Sequence, residues 1–346
     1  QLPTGPVRII VGFAPGGGTD ILARVIGQKL ADMWKTQVIV ENKAGASGTI
    51  ASDYVANQPG DGTVLHMAHI NSHALMPNLQ KLNYDAEKDF QPIALVGVTP
   101  NLLICGGMQP AKTVKDLVAL CKANPGKISF GSAGPGSAQH LALEMFMLQA
   151  GVKAIHVPYK GSGPMLTDLI GGQVQYSFDT MTAATPHVKN GKAIAIAQTR
   201  QKRATGHPNV PTMNESGFPG FEATTWYGLV GPGKMSPALA QRTTCWAEQR
   251  GSPVPAQRLA ERVARRIHHH RRGRQIELLA GPQLAQRVGP ALDGALRVAR
   301  IRDAVGPQGG CGARSLVVHV DRAIGHAGAV ERAGHEVGAH RKIRRQ

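Results

Sequence analysis

A short β-branched run that breaks into a glycine-rich turn and then opens an amphipathic helix occurs twice in this chain. No other feature restricts its fold as much. The first copy is residues 7–13, VRIIVGF, followed by APGGG and a helix from Thr19. The second is residues 127–130, followed by GSAGPGS and a helix from Ser137. Short apolar strands of this kind are buried on both faces. Alternation of such strands with helices builds parallel sheets with right-handed crossovers. The rest of residues 1–241 repeats the alternation, with strands expected at 37–41, 63–69, 154–157, 173–178 and 193–198. Further helices are expected from Thr113 through Cys121 and over 164–170, and the helix opened by Ser137 is expected to run to Leu148. Thr113 with Asp116 makes a capping box, and Gly151 suits a helix stop. On the first helix, Ile21, Leu22, Val25, Ile26, Leu30 and Met33 share one predicted face.

A chain of 346 residues exceeds what one hydrophobic core supports, so two lobes are expected. Apolar stretches at 93–105 and 226–230 are read as crossings between them. That reading gives a first lobe of 1–100 plus 226–241, a second of 101–225, and an atypical tail of 242–346. No run approaches the roughly 20 apolar residues of a membrane span, so a soluble chain is expected. Gln1-Leu2-Pro3 is read as a mature end left by a removed signal peptide. Cys105, Cys121, Cys245 and Cys311 show no metal spacing. Whether Cys105 and Cys121 pair is open from spacing, and two buried thiols is the preferred reading.

The net charge of +17 is unevenly spread. Residues 1–241 carry 19 basic and 14 acidic side chains, whereas 242–346 carry 20 and 8. The tail's basic residues are nineteen Arg and one Lys, and Trp246 is its one aromatic. Such a segment has little with which to build a core. It is expected to be irregular or disordered, either a basic appendage or, the favoured reading, out-of-frame translation of GC-rich DNA. Any nucleic-acid binding through it is expected to be non-specific, and His268, His269 and His270 inside it are not expected to bind metal.

The two glycine loops carry the chemistry. A helix N-terminus exposes unpaired N–H groups and about half a positive charge, and glycines let the backbone close around an anion. Open α/β sheets bind ligands beyond the carboxyl ends of their strands. One loop on each lobe, facing across a cleft, would suit a small carboxylate. Against this stands the reading that the glycines only make tight turns. Neither loop has the spacing of a nucleotide motif. Ser72, with Asn71 and His73, follows the strand at 63–69. Tyr159 and Lys160 follow that at 154–157, and Asp179 follows that at 173–178. Each has an alternative as an ordinary turn, a solvated lysine or a helix cap. No GxSxG or HExxH occurs, and no cofactor or catalytic group is called for. The rivals are an α/β enzyme holding a phosphorylated substrate in the glycine loops, and a nucleic-acid binder acting through the tail.

Seven stretches, in order, resemble one family. They are PVRIIVGFAPGGGTDILAR (6–24), VIVENKAGASGTIASDYVA (38–56), DGTVLHMA (61–68), YDAEKDFQPIALVG (84–97), SFGSAGPGSAQHLALEMF (129–146), HVPYKGSGPMLTDLIGGQV (156–174) and PTMNESGFPGFEATTWYGLVGPG (211–233). The chain over 1–235 is similar to the Bug-type extracytoplasmic solute-binding receptors of tripartite tricarboxylate transporters. The resemblance implies a periplasmic-binding-protein-like α/β fold, with two lobes around a ligand cleft. It implies a periplasmic, monomeric, non-enzymatic receptor that hands a di- or tricarboxylate, acidic amino acid or aromatic acid to membrane permease subunits. Carried over, the ligand-binding residues are Phe13, Ala14, Gly16, Gly17, Gly18, Thr19 and Asp20 of the first loop. Those of the second are Gly131, Ser132, Gly134, Ser137 and His140, with Tyr159 and Asp179 as further contacts. Past about Pro237 the family continues with helices that pack on the first lobe, a pattern expected to stop here.

Overall fold

The computed structural model describes residues 5–248 together with 299–301 and 318–320. Expectations for the tail, its triple histidine and Cys311 lie outside these residues. The exceptions are two short strands, β10 (Ala299–Ile301) and β11 (Val318–Val320), which pair antiparallel.

The architecture is a mixed nine-stranded sheet flanked by helices. In the first half, β1 (Val7–Val11) lies parallel between β2 (Val38–Asn42) and β3 (Val64–His69). In the second half, β5 (Ser129–Ser132) lies parallel between β6 (Ile155–Pro158) and β7 (Tyr176–Thr180). The alternation predicted purely parallel sheets, but the strands that join the halves are antiparallel. The long β4 (Phe90–Gly106) pairs through residues 90–100 with β9 (Thr224–Pro232). Its residues 101–106 pair with β7 and with β8 (Ala193–Gln198). β9 also pairs antiparallel with β3. Where β4 and β9 leave one half for the other, Asn101 N donates to Thr199 Oγ1 at 2.9 Å, and the Thr199 hydroxyl donates to Ala223 O at 2.5 Å. The Thr225 hydroxyl meets Asn101 Oδ1 at 3.4 Å.

β1 is apolar apart from the half-buried Arg8 because both faces are covered: Val7, Ile9, Ile10 and Val11 are fully buried. One face carries α1 (Gly18–Trp34), whose buried stripe is Ala23, Ile26, Gly27 and Leu30. That spacing of three, four and seven is the stripe a packed helix presents. Val25 and Met33, expected on this face, are exposed at 58% and 40%. Gly27 takes the place of a larger residue there, since a Cβ on it would sit 3.4 Å from Val38 Cγ1. The second half is built around aromatic rings, with Phe178 stacked between Phe130 at 6.3 Å and Phe221 at 5.8 Å. The capping box at Thr113 opens α4 (Val114–Ala123), with the Asp116 amide donating to Thr113 Oγ1 at 3.1 Å. Gly151, at φ 63°, ends α5 (Ala138–Ala150).

The helix α8 (Pro237–Glu248) crosses the composition break near residue 241. Its Ala240 is buried beside Met235, Leu229 and Tyr227. The expected end of the helical pattern near Pro237 therefore moves outward by one helix, because Ala240 still finds apolar partners on the first half. Cys105 and Cys121 are free buried thiols, and burial raises both to about 11. Among the described residues, no helix is long and apolar enough to cross a membrane.

Candidate functional site

The loops after β1 and β5 face each other across a cavity of about 550 Å³. Phe13 and Ala14 line it from the first half, and Ala133, Gly134 and Pro135 from the second. Residues 158–160 form a further wall. The two halves touch around it. Ala14 N donates to Lys160 O at 2.9 Å, the Ser47 hydroxyl to Pro135 O at 2.6 Å, and Ala138 N to Asn71 Oδ1 at 3.0 Å.

The first loop is held in shape by Asp20. Its carboxylate accepts from Gly16 N at 3.0 Å, from Arg24 through Nε and Nη2 at 3.0 and 2.9 Å, and from Asn42 at 2.9 Å. Burial alone would push this carboxyl up, but Arg24, Gly16 and Asn42 together hold it below its ordinary value. Asp20 is thus a brace for the loop. In α1 the Ile21 amide is the first to reach an in-helix carbonyl, that of Gly17 at 3.0 Å. The amides ahead of it form the unpaired first turn, where an anion is favoured. Gly17, Gly18 and Thr19 line a smaller chamber of about 10 Å³ behind the main cavity. Gly18 must be glycine: a Cβ there would lie 2.6 Å from the Tyr227 hydroxyl and 2.9 Å from that of Thr180.

The second loop is braced from beneath. Ser132 Oγ accepts from Gly134 N at 3.1 Å and pairs with His156 Nε2 at 2.6 Å. Ser137 caps α5 by accepting from His140 N at 3.3 Å, and His140 Nδ1 accepts from Gly136 N at 3.1 Å. The His140 and His156 rings stack at 3.8 Å. Burial, then the neighbouring His140, lowers His156 to about 3, so it is neutral under ordinary conditions. Two leading amides of α5, those of Ala138 and His140, already have partners in Asn71 and Ser137. The first loop therefore presents the more open helix N-terminus.

Of the residues singled out in the sequence, Phe13, Ala14, Gly17, Gly18, Thr19, Gly134 and Tyr159 line the two cavities. Gly16 is exposed at the loop's outer edge. Asp20, Ser132, Ser137 and His140 stand behind the walls as braces. Gly131 packs in β5, where a Cβ would lie 2.6 Å from Met165 Cγ. Ser72 is buried and pairs with His73 Nδ1 at 2.9 Å, lining neither cavity. Tyr159 donates its hydroxyl to Asp168 at 2.8 Å. Asp179 is fully buried, accepts from Ser162 at 2.5 Å and from Gln139 at 3.5 Å, and is raised by burial to about 6.

Sequence reasoning missed a third loop, at 45–48, where Ala46 and Ser47 take left-handed φ values of 45° and 53°. Its signal is the small-residue run AGASG directly after β2. His69, Gln139, Ser162 and Tyr227 also went unread, because each sits inside or beside a regular element and looks like packing. His69 Nδ1 accepts from Asn71 N at 3.1 Å, and burial, then the nearby His66, lowers the imidazole to about 3. Among the described residues, no group of three or more His, Cys, Asp or Glu side chains is arranged to hold a metal ion.

The profile of the tripartite tricarboxylate transporter family receptor matches residues 22–262. Protein BugT of Bordetella pertussis is 36% identical over 242 residues, covering 68% of this chain and 73% of that protein. Among solved structures, R. palustris Rpa4515 with adipate superposes with a TM-score of 0.75 at 30% identity, over 84% of this chain and 99% of that one. MatC (Rpa3494) from Rhodopseudomonas palustris with bound malate gives a TM-score of 0.72 at 29% identity, over 78% and 97%.

Proposed function

This chain belongs to the tripartite tricarboxylate transporter receptor family, and from that premise we propose that it captures a small carboxylate between its lobes for delivery to a membrane permease. Family members are periplasmic solute-binding proteins and not enzymes. The observation that carries the proposal is the convergence of the two glycine loops on one cavity, Phe13 and Ala14 from the first and Ala133, Gly134 and Pro135 from the second, with the open α1 N-terminus lining the small chamber behind it. The cavity's volume of about 550 Å³ suits a small metabolite.

Binding would rest on oriented amides and a helix dipole, not on a guanidinium fork. Among the described residues, no arginine lines the cavity and Lys160 is the one basic side chain in its walls. Each amide or dipole interaction is modest in water, but a desolvated carboxylate facing several fixed donors gains from all of them without reorganising the site. The lobes are taken as 1–100 with 226–241 and 101–225, joined through β4 and β9. The ligand would enter with the halves apart and be enclosed as Ala14, Ser47 and Asn71 meet their partners across the cleft. The receptor would act as a monomer in the periplasm.

A thermal-shift screen of mono-, di- and tricarboxylates tests this reading. A true ligand at one hundred times its Kd should stabilise the protein by about 2.7 kcal/mol. Calorimetry on the strongest responder should then give one site per chain. The absence of stabilisation by every carboxylate, with a phosphorylated metabolite stabilising instead, would overturn it.

A further inference from the structure

Charge is shared unequally between the two halves. Residues 1–100 carry seven basic and eight acidic side chains, whereas 101–225 carry eleven and six. Four of those six acids are already committed. Glu144 and Asp179 are buried, Asp168 accepts from the Tyr159 hydroxyl at 2.8 Å, and Glu215 pairs with Arg203 at 2.9 Å. The second half therefore shows solvent a surplus of positive charge, and the topology of its sheet gathers much of it at one end.

One end of that sheet bears the loops that line the cavity, 133–135 and 158–160. At the other end β4 finishes at Gly106, opposite Ala193 at the start of β8, and β5 and β6 begin side by side at Ser129 and Ile155. The turns at this far end are tied to one another. Gly126 N donates to Lys153 O at 3.0 Å, the Tyr176 hydroxyl to Ala111 O at 3.3 Å, and Gln175 Nε2 to Gln109 Oε1 at 3.4 Å. Lys112, Lys127, Lys153 and Lys192 each stand at or within two residues of these joints, and Lys189 is the last residue of α7 (Met181–Lys189), which leads into them. All five lysines are exposed, and among the described residues none has an ion-pair partner. Asp116, just past Lys112 in the chain, accepts from the Thr113 hydroxyl at 2.7 Å. An apolar side chain stands among the lysines. Met108, on the turn after β4, is 80% exposed, and Ile155 at the same end is 46% exposed.

We propose that this far end of the second half rests on a membrane surface bearing anionic lipid headgroups, with the lysines at the phosphates and Met108 let in between them. The charge is complementary, and each lysine close to an anionic bilayer strengthens partition by about fivefold. Lysine stems lie along apolar material while their ammonium groups stay at the headgroup level. The unbranched thioether of Met108 adapts to the irregular boundary between headgroups and acyl chains. A nucleic acid would take the lysines and leave Met108 in water, and among the described residues this end exposes no Phe, Tyr or Trp on which a base could stack. The cleft lies at the opposite end of the sheet, so it stays open to solvent while the chain is held at the surface. The inference does not depend on which solute the cleft takes.

Co-sedimentation of the full chain with vesicles of phosphatidylcholine and phosphatidylglycerol, about two to one, at about 0.1 M salt tests this, with phosphatidylcholine alone as reference. The arginine-rich residues beyond 241 also attract such vesicles, so the deciding readings are local ones. Lys127→Gln combined with Lys153→Gln should weaken partition by about twenty-five-fold, at about fivefold for each charge. Lys29→Gln combined with Lys88→Gln, an equal loss of charge from exposed positions on the first half, should change it by less than about twofold. Met108→Trp, at a site exposed enough to leave the fold alone, should shift its emission to the blue when anionic vesicles are added, read as the difference from the wild-type spectrum. Equal losses from the two lysine pairs would overturn the proposal, because the tail or the net charge would then account for the binding. So would vesicle binding by Met108→Trp with no blue shift, equal binding to phosphatidylcholine alone, or no binding at all. A DNA duplex that binds more tightly than the vesicles, and is lost with Lys127 and Lys153, would overturn it in favour of a polyanion site.

Discussion

Adding one methyl group at Gly163 separates ligand capture from the integrity of either lobe. Gly163 lies in the first turn of α6 (Ser162–Ile170), and a Cβ placed on it would sit 1.9 Å from Pro15 O on the opposite half. Real Cβ atoms essentially never come within 3.0 Å of such a neighbour. Both parties are backbone, so no rotamer change relieves the clash, and the halves must part by about 1 Å at this point. That separation strains the Ala14–Lys160, Ser47–Pro135 and Asn71–Ala138 hydrogen bonds, given above at 2.9, 2.6 and 3.0 Å. At about 1 kcal/mol net for each, loss of all three removes about 3 kcal/mol from the closed arrangement. If ligand binds only when the halves are closed, its apparent Kd rises as the closed fraction falls, here by roughly a hundredfold. The folded lobe should not suffer, because Gly to Ala inside a helix favours the helix by up to about 1 kcal/mol. The assay is calorimetry of Gly163→Ala with the strongest carboxylate, alongside small-angle scattering for the lobe separation. Gly206→Ala, at a site with no neighbour within 4 Å of its Cβ, serves as control. Wild-type affinity in Gly163→Ala, at unchanged secondary structure, would refute the dependence of binding on closure.

Two further outcomes follow from the braces and from the buried carboxyl. Asp20→Ala removes the partner of Gly16 N, Arg24 and Asn42 at once, and should lower stability by about 2 kcal/mol and weaken ligand binding, as chemical denaturation and calorimetry would report. Asp179 is raised in the fold from 3.8 to about 6, so the folded protein holds its proton over a pH range in which the unfolded chain has released it. Its contribution to stability is therefore fully present below about 4 and is lost as pH rises toward 6. Asp179→Asn should gain on the wild type across that window, by on the order of 3 kcal/mol, in melts taken at pH 4 and pH 7. A difference between the two proteins that does not change with pH would contradict this sign.

What could be read from the sequence was what leaves a local pattern. The glycine loops, the Thr113 cap, the Gly151 stop and the β1 strand each follow from residues within a few positions of one another. The face of α1 was misjudged at Val25 and Met33, because apolarity alone does not show that Gly27 lets the helix rest closely on Val38 and Val40. The antiparallel run of β4 beside β9 pairs residues more than a hundred positions apart, such as Phe90 with Pro232, and no local period encodes it. At the site, residue type marked the right neighbourhood but not which way each side chain turns. Ser132, Ser137 and Asp20 look like ligand contacts in a glycine loop, yet their oxygens are already engaged, by nearby backbone amides and by Arg24, Asn42 and His156. Gln139 and Tyr227, which do line the inner chamber, read as ordinary members of a helix and a strand.

The way β4 and β9 thread both halves has a mechanical consequence. Many two-part receptors would swing on slack connectors, but here two neighbouring hydrogen-bonded strands form the spine, sewn together by Asn101, Thr199 and Thr225. Opening of the kind proposed above would have to twist or bend this ladder, and the strand pairing would limit its travel. Little freedom would then be left to lose on closing, so even a small solute with few atoms to grip could hold the halves together.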